Sequence, residues 1–330
     1  MTLIIPFGSF FIVMVLSISL RIPQASGAGT VVKTLFVDLN GGGDFKCIQA
    51  AINSVPDNNK IWTRIHVAAG VYREKVMIPQ SKEYILLEGE GSQHTSIEWG
   101  DYANDPKNDT TATSATFFSL ADNFVAKYIA FKNTYNGGTK TAQALAALVS
   151  GDKSSFYNCS FTSIQDTLSD AFGRHYYLGC HIEGAFDFIF GNGQTIFQEC
   201  TIWTVSGPTS PGYVTAQGRS TPLAHGGFVF KSCKLDGVTK TYLGRAWRGY
   251  ARVIFYETYM SDIVVPLGWD AWFNKGHENL ITFAESGCTG EGSNTAGRVP
   301  WEKTLTAAEL KYFTDITYID NEGWLAAQPI

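Results

Sequence analysis

Several common functional signals are missing from this sequence. It has no run of lysine or arginine, and its formal net charge is −5 at pH 7. Because nucleic-acid binding needs a concentrated basic face, we expect no nucleic-acid partner. No CxxC pair suggests a zinc site, and no GxSxG motif suggests a serine nucleophile. We therefore expect no metal and no cofactor.

Long apolar stretches are also missing after the first part of the chain. Residues 3–20 are nearly all apolar and uncharged, and small residues follow at 25–29. This pattern is typical of a secretory signal peptide, which we place at 1–28, ahead of a single domain at 29–330. A retained membrane anchor is the alternative. With the signal removed, we expect a secreted protein that does not contact a membrane.

If the protein is secreted, its glycosylation sequons and its cysteines can both be modified. Of the two glycosylation sequons, at Asn108 and Asn158, we expect the first to carry a glycan, because the second contains a cysteine expected in the core. The chain has six cysteines, and some of them should pair in an oxidising compartment.

A repeated phrase predicts the fold. An aromatic residue, two spacers, a cysteine, one spacer and an apolar residue recur at 156–161, 177–182, 197–202 and 230–235. Repetition near 20 residues with strand-like units indicates a solenoid. We therefore predict an all-β fold, a right-handed parallel β-helix whose coils stack about 4.8 Å apart. A β-sandwich with coincidental cysteines is the alternative. Helical spacing at 45–55 and 306–313 predicts short capping helices, the second N-capped by Thr304 or Thr306.

The same repeat brings four polar residues together. Asp166 and Asp187 each lie seven residues after a cysteine of the repeat, and Gln143 and Gln165 are 22 residues apart. They should therefore gather on adjacent coils. Two stacked carboxylates cannot both ionise easily, which provides one acid and one base or nucleophile. The amides can stabilise an oxyanion. The alternative is that both aspartates are turn residues.

The cysteine ladder also leads to a pairing prediction. Neighbouring ladder positions bring Cα atoms within disulfide range. Since three stacked cysteines cannot all pair with one another, we predict a Cys180–Cys200 bond, with Cys159 and Cys233 as buried thiols.

Five motifs in order resemble those of plant-type pectin methylesterases (pectinesterases), in the form without an N-terminal inhibitor-like pro-domain. They stand here as GVYRE (70–74), QALAAL (143–148), QDTL (165–168), DFIFG (187–191) and LGRAW (243–247). The resemblance runs from about residue 35 to residue 324. It implies a parallel β-helix that hydrolyses the methyl esters of homogalacturonan, and so releases methanol.

The resemblance also implies a role for each matching residue. Asp187 is the nucleophile, and Asp166 is the general acid and then the base. Gln143 and Gln165 stabilise the oxyanion, and Arg245 holds Asp187 ionised and aimed.

Further implications concern the substrate and its surroundings. Trp247, Trp269 and Phe188 are expected to bind the sugar chain. The expected partners are pectin and a proteinaceous inhibitor, and the expected setting is the cell wall, or apoplast, of a plant, where the protein acts as a monomer. The chain departs from the family pattern at Leu148, where an arginine is usual, and at Ser169, where a tyrosine is usual.

Some residues keep two interpretations at this stage. Arg219, Arg248 and Arg252 either face a polyanionic substrate or are solvated. His175 is interpreted as a hydrogen-bonded structural residue, because no acidic or serine partner pattern accompanies it. Rival functions are a pectin hydrolase or calcium-dependent lyase of the same fold, and a wall-binding protein without activity. The products distinguish these: methanol, new reducing ends, unsaturated ends or none.

Overall fold

The computed structural model describes residues 29–107, 109–135 and 141–330. The predicted signal peptide and the sequon residue Asn108 lie outside the described residues. Within those ranges no helix is long and apolar enough to cross a membrane.

The described chain consists mostly of short strands. In chain order they are β1 Lys33–Val37, β2 Thr63–Val67, β3 Gly70–Tyr72, β4 Val76–Ile78, β5 Ile85–Gly89, β6 Thr95–Trp99, β7 Phe117–Ser119, β8 Phe124–Lys127, β9 Ala130–Asn133, β10 Ala147–Val149, β11 Ser154–Tyr157, β12 Ser160–Thr162, β13 Leu168–Asp170, β14 Arg174–Leu178, β15 His181–Gly184, β16 Ile189–Gly191, β17 Gln194–Gln198, β18 Thr201–Thr204, β19 Gly212–Gln217, β20 Gly227–Lys231, β21 Lys234–Gly237, β22 Thr241–Ala246, β23 Arg252–Tyr256, β24 Tyr259–Met260, β25 Trp269–Asp270 and β26 Thr282–Ser286. The two α-helices are α1 Ile48–Ser54 and α2 Ala307–Thr314. Short 3₁₀ turns occupy Ala112–Ser114, Trp272–Asn274, Glu278–Leu280, Glu291–Ser293, Thr295–Gly297 and Ile316–Tyr318.

These strands form three parallel sheets. The first sheet has ten strands in the order β1-β2-β5-β8-β11-β14-β17-β20-β23-β26. The second sheet runs β3-β6-β9-β12-β15-β18-β21-β24, and the third runs β4-β7-β10-β13-β16-β19-β22-β25. Each coil contributes one strand to each sheet in turn, and connections between parallel strands are right-handed. The predicted right-handed parallel β-helix is confirmed.

An aromatic ladder holds the interior of the first sheet together. Phe156, Tyr177, Phe197, Phe230 and Phe255 occupy equivalent positions on successive strands. Their ring centroids are 4.7, 4.7, 4.7 and 4.5 Å apart, and the rings are nearly parallel. This spacing matches one coil, and the first residue of each repeated phrase therefore stacks on the next.

A turn with one left-handed residue recurs between the first and second sheets. The residue before each cysteine of the repeat has a φ of 50 to 63°. The four residues are Asn158, Gly179, Glu199 and Ser232. A single left-handed residue bends the chain sharply with little loss of pairing on either side, and the same bend on every coil keeps the sheets in register.

The cysteines that follow these turns are stacked but not bonded. All six cysteines are free thiols, and those of the repeat are buried. The predicted bond between Cys180 and Cys200 is therefore wrong, whereas Cys159 and Cys233 are buried thiols as predicted. The reason is geometric. In-register parallel neighbours hold their Cβ atoms about 4.8 Å apart along parallel directions, whereas a disulfide needs them about 3.8 Å apart.

The two helices have different positions. Helix α1 packs on the first coils, and its N-terminus is capped by Glu74, whose carboxylate accepts from the backbone N–H groups of Ile48 and Gln49 at 2.7 and 2.9 Å. Helix α2 begins with the expected cap at Thr306, which forms a capping box with Glu309. However, α2 contacts β20 on the outer face of the first sheet. It therefore lies along the solenoid and does not cap its end.

The C-terminal segment continues along that outer face, and we call residues 306–328 the strap. Its apolar side chains cover Tyr157 and an outward row of the first sheet, whose apolar members are Leu86, Val125, Tyr176, Ile196, Val229, Ile254 and Ala284. The strap ends at Gln328, which is buried and accepts a hydrogen bond from Ser155 Oγ at 2.5 Å. The backbone N–H of Gly29 donates to the carbonyl of Gln328 at 3.3 Å, so both ends of the described chain meet here.

A buried charged pair lies inside the solenoid. His175 and Asp170 are fully buried, and His175 Nδ1 lies 3.0 Å from Asp170 Oδ2. The other ring nitrogen, Nε2, lies 2.9 Å from the carbonyl of Gly151. Since a carbonyl only accepts, Nε2 carries a proton. Burial disfavours the imidazolium, but the Asp170 carboxylate outweighs it and raises the pKa of His175 above its ordinary value. His175 is structural, as predicted, but it does have an acidic partner.

This pair predicts how stability depends on pH. The pKa of His175 is higher in the folded state than in the unfolded state. The contribution of protonated His175 to the free energy of unfolding is therefore complete below about pH 6.5, and it is lost as pH rises through the folded pKa. His175→Leu leaves a buried carboxylate without its cationic partner, and should lower the free energy of unfolding by roughly 3–5 kcal/mol. Urea unfolding near neutral pH measures this loss.

The control is Asp170→Asn, which removes the charge that raises the pKa. In that variant the decline of stability above about pH 6.5 should disappear. If Asp170→Asn retains the wild-type decline, the pair is not its source.

Candidate active site

Asp166 and Asp187 occupy equivalent positions on adjacent coils. Each precedes a strand of the third sheet, β13 and β16, and these strands pair in register. The Asp166 N–H donates to the carbonyl of Phe186 at 3.0 Å, which ties the two turns together. Both aspartates have left-handed backbones, with φ of 59° and 45°. Such conformations are strained for residues other than glycine and are found at functional sites.

Both carboxylates open into one cleft of about 540 Å³ on the outer face of the third sheet. Six of the residues predicted from the sequence line it, namely Gln143, Gln165, Asp166, Asp187, Arg245 and Trp247. The two amides are half-buried at its wall, and Gln165 lies close enough to Asp166 to favour the carboxylate form of that residue. The structure thus brings together the predicted acid, nucleophile and amide donors.

Arg245 binds Asp187 through a two-pronged ion pair. Its Nε lies 2.8 Å from Oδ1 and its Nη2 lies 2.5 Å from Oδ2. The guanidinium lies between two aromatic rings, 4.3 Å from the centroid of Tyr213 and 3.7 Å from that of Trp272. Asp270 accepts from the Tyr213 hydroxyl at 3.2 Å and from the backbone N–H of Trp272 at 2.8 Å, so it fixes the Tyr213 ring and the backbone that carries Trp272. The arginine is therefore held on three sides and aims one carboxylate at the cleft.

Burial decides the protonation of the two aspartates. Burial, with a smaller contribution from the Asp187 carboxylate, raises the pKa of Asp166 well above its ordinary value. Burial also raises the pKa of Asp187, although Arg245 opposes this. Repulsion between the two carboxylates, expected from the sequence as the main cause, therefore contributes less than burial, and Arg245 limits the rise in the pKa of Asp187 without reversing it. The order still follows: Asp166 holds its proton more strongly, and Asp187 is the member that ionises first.

Trp247 forms a wall of the cleft. Its side chain is 37% exposed and meets Phe190 edge to face, with ring centroids 6.1 Å apart. A Cβ on Gly218 would come within 2.8 Å of its ring, so a glycine is needed beneath it. An exposed aromatic face in a cleft is suited to stacking on a sugar ring.

Known proteins resemble this chain over most of its length. Residues 34–322 match the family described as Pectinesterase. The chain belongs to the pectinesterase family. It is 47% identical over 317 residues to probable pectinesterase 29 of Arabidopsis thaliana, covering 93% of each chain. It is also 47% identical over 306 residues to probable pectinesterase 55 of the same plant, covering 90% of this chain and 91% of the other.

Solved structures show the same fold. A pectin methylesterase from carrot is 32% identical and superposes with a TM-score of 0.84, covering 90% of this chain and 96% of its own. One from Aspergillus niger is 29% identical with a TM-score of 0.77, covering 91% and 97%. The chain is accordingly a carboxylic ester hydrolase that removes methyl groups from pectin.

Two expected sugar contacts of this pectinesterase are wrong. Trp269 is 1% exposed and stacks on Phe283 in the core, with ring centroids 4.6 Å apart. Phe188 is also completely buried. The left-handed residue at Asp187 interrupts the in–out alternation of the strand, and the side chain directly after it turns inward.

Other aromatic residues line the cleft in their place. They are Phe172, Phe190 and Trp272, of which Phe190 and Trp272 lie two and three residues after the predicted Phe188 and Trp269. The register of the third sheet could have identified Phe190, since an outward row runs through Leu148, Ser169, Phe190 and Ala216 to Arg245. Leu148 and Ser169, the two departures from the family pattern, are therefore direct neighbours in the cleft.

The structure also separates the three arginines left open by the sequence. Arg219 is buried and donates to the carbonyls of Ala224, Tyr250 and Pro222. Arg252 donates to carbonyls in the 225–226 segment. Both are structural. Arg248 is exposed beside the cleft.

The Arg245–Asp187 pair predicts a shift in the pH–rate profile. The predicted role of Asp187 as nucleophile requires its carboxylate, so activity should be lost as pH falls through the folded pKa of Asp187. Arg245→Ala removes the opposing cation, and the acid limb of kcat/KM should move to higher pH by about 1–3 pH units while turnover falls. The measurement is kcat/KM against pH on methylated pectin.

Arg245→Lys is the matched control. It keeps the charge without the planar fork, and should place the acid limb between those of wild type and Arg245→Ala. An acid limb that stays in place in Arg245→Ala would mean that this arginine binds a substrate carboxylate and does not tune the nucleophile.

Proposed function

We propose that this enzyme demethylates homogalacturonan through a covalent intermediate on Asp187, with Asp166 as acid and base. The observation that carries the proposal is the asymmetry of the stacked pair. Arg245 holds one carboxylate in a fixed orientation, whereas the other, equally buried but outside that ion pair, has a strongly raised pKa. One site therefore supplies the nucleophile and the other the proton.

In the first half-reaction the Asp187 carboxylate attacks the carbonyl carbon of a methyl ester. Negative charge moves to the carbonyl oxygen, where the Gln143 and Gln165 amides donate hydrogen bonds. The C–O bond to the methoxy group then breaks, and that oxygen takes the proton of Asp166. Methanol leaves, and the galacturonate acyl group remains joined to Asp187 as an anhydride.

The second half-reaction restores the enzyme. Asp166, now a carboxylate, removes a proton from a water molecule, and the hydroxide attacks the acyl carbon. The same two amides hold the second oxyanion. When it collapses, Asp187 leaves as a carboxylate, Asp166 keeps the proton it took from water, and the new carboxylic acid loses its own proton to solvent as galacturonate.

The setting in which this takes place is also part of the proposal. Residues 1–28 direct secretion, and the enzyme acts in a plant cell wall, where methylated pectin is found; the Arabidopsis pectinesterases that it resembles support a plant origin. A proteinaceous inhibitor would find apolar surface at the rim of the cleft, where Phe172 and Phe273 are 61% and 77% exposed.

Asp187→Asn tests the nucleophile. An amide of the same shape keeps the packing but lacks the negative charge, so methanol release from methylated pectin should fall by roughly a thousandfold or more. Thermal unfolding should show that the variant remains folded.

Asp262→Asn is the matched control, because its side chain is 75% exposed and it does not line the cleft. It should retain wild-type turnover. Wild-type turnover in Asp187→Asn would overturn the mechanism. Activity lost equally in both variants would point to a general effect of losing a carboxylate.

A further inference from the structure

Two residues flank Arg245 without lining the catalytic cleft. Arg245, on β22, pairs in register with Asp270 of β25, and Tyr213 lies on β19, the neighbouring strand on the other side. The Tyr213 hydroxyl donates to Asp270 at 3.2 Å, so this bond spans the strand that carries the arginine. Neither Tyr213 nor Asp270 is among the cleft residues. Both are therefore placed to act on Arg245 and not on the substrate.

The same carboxylate also holds the second ring that contacts the arginine. Trp272 has a left-handed backbone, with φ of 52°, which is strained for a bulky side chain. Asp270 accepts the backbone N–H of Trp272 at 2.8 Å and so supports this conformation. The guanidinium carbon of Arg245 lies 4.3 Å from the centroid of the Tyr213 ring and 3.7 Å from that of the Trp272 ring. Two aromatic rings thus limit where the cation can move.

Arg245 still has hydrogen-bonding capacity that the pair with Asp187 does not use. A guanidinium carries five N–H donors, and two of the nitrogens, Nε and Nη2, bind Asp187. Within the described ranges, Nη1 donates to no other group of the protein. The side chain is 20% exposed and lines the cleft. A second carboxylate in the cleft can therefore compete with Asp187 for this arginine.

Each turnover produces such a carboxylate. The neutral methyl ester becomes an anion at the carbon that Asp187 attacks, within reach of Arg245. If the guanidinium turned towards this product, a charge-assisted pair would delay its release. Asp187 would also lose the cation that opposes the effect of burial on its pKa. Holding Arg245 on Asp187 prevents both effects.

We propose that Tyr213 and Asp270 are positioning residues, which hold Arg245 against Asp187 and keep it from pairing with the carboxylate that the reaction creates. The inference rests on the proposed function, because it requires Asp187 as the nucleophile. We call the Tyr213 ring, the Trp272 ring and the Asp270 carboxylate the clamp. The clamp allows the enzyme to release an anionic product from a site that contains a cation.

Tyr213→Phe tests the clamp without changing any charge. It keeps the ring but removes the hydroxyl that Asp270 holds. With Arg245 less well fixed, kcat on methylated pectin should fall by roughly three- to tenfold, the range expected for the loss of one hydrogen bond, while KM changes little. The inhibition constant of fully de-esterified trigalacturonate, measured from methanol release, should fall by a similar factor.

The acid limb of kcat/KM gives a second measurement. The charged and titratable groups around Asp187 are Asp166, Arg245, Tyr213 and Asp270. Tyr213→Phe leaves all their charges unchanged in the acid range, because burial raises the pKa of Tyr213 to about 12. A weaker hold by Arg245 lets burial raise the pKa of Asp187 further, so the acid limb should move to higher pH. A residue needed only for folding would not move it.

A double-mutant cycle tests the hydrogen bond itself. Asp270→Ala removes the acceptor of the Tyr213 hydroxyl, so adding Tyr213→Phe to it should cause no further loss of kcat. Tyr242→Phe is the matched control, because its ring stacks on that of Tyr213 with centroids 5.0 Å apart and does not line the cleft. It should retain the wild-type kcat, inhibition constant and acid limb.

The possible results separate the two proposals. An unchanged inhibition constant and acid limb in Tyr213→Phe, or additive losses in the cycle, would overturn the clamp and leave the esterase mechanism in place. The same changes in Tyr242→Phe would also overturn it, since the loss of any nearby hydroxyl would then be sufficient. Wild-type turnover in Asp187→Asn would overturn the proposed function, and the clamp with it.

Discussion

In-register stacking of parallel coils is the constraint on which the rest of this structure depends. Once each coil repeats the backbone of the one before, every side-chain position becomes a column along the solenoid. The aromatic ladder, the left-handed turns and the buried cysteines are all columns of this kind. The proposed catalytic pair is another: Asp166 and Asp187 meet because they occupy one column on neighbouring coils. The solenoid thus brings together residues that are 21 positions apart, without a dedicated loop.

Within that column, identical residues acquire different chemistry from their surroundings. Both aspartates share a residue type, a strained backbone and a buried position. Arg245, held by Tyr213, Trp272 and through them by Asp270, reaches Asp187. Fixed dipoles and charges of this kind need no reorganisation during the reaction, which is how a rigid wall can serve both halves of it.

Features at positions that repeat from coil to coil could be predicted from the sequence. Features in segments where the repeat is interrupted could not. Cysteine spacing was sufficient for the β-helix and for the grouping of Asp166 with Asp187, because spacing measures the coil directly. Trp269 and Phe188 were misplaced because a left-handed residue, or a short strand after an irregular loop, resets which side chains face outward. The direction of α2 could not be read from its amphipathic pattern, since that pattern fixes the buried face and not the partner. The free cysteines show that stacked neighbours can lie close together and still lack the Cβ separation and direction that a disulfide needs.

The strap has a consequence for the order in which the protein is made. The outward apolar row of the first sheet runs from Leu86 to Ala284, but its cover is encoded in the last residues of the chain. Domains begin to fold from the N-terminal side during synthesis. Coils can stack as they emerge, yet each leaves part of its apolar outer face open to water until the strap has been synthesised. The docking of the strap, and not the stacking of the last coil, therefore completes the hydrophobic surface, and a nascent chain of this design needs protection until then.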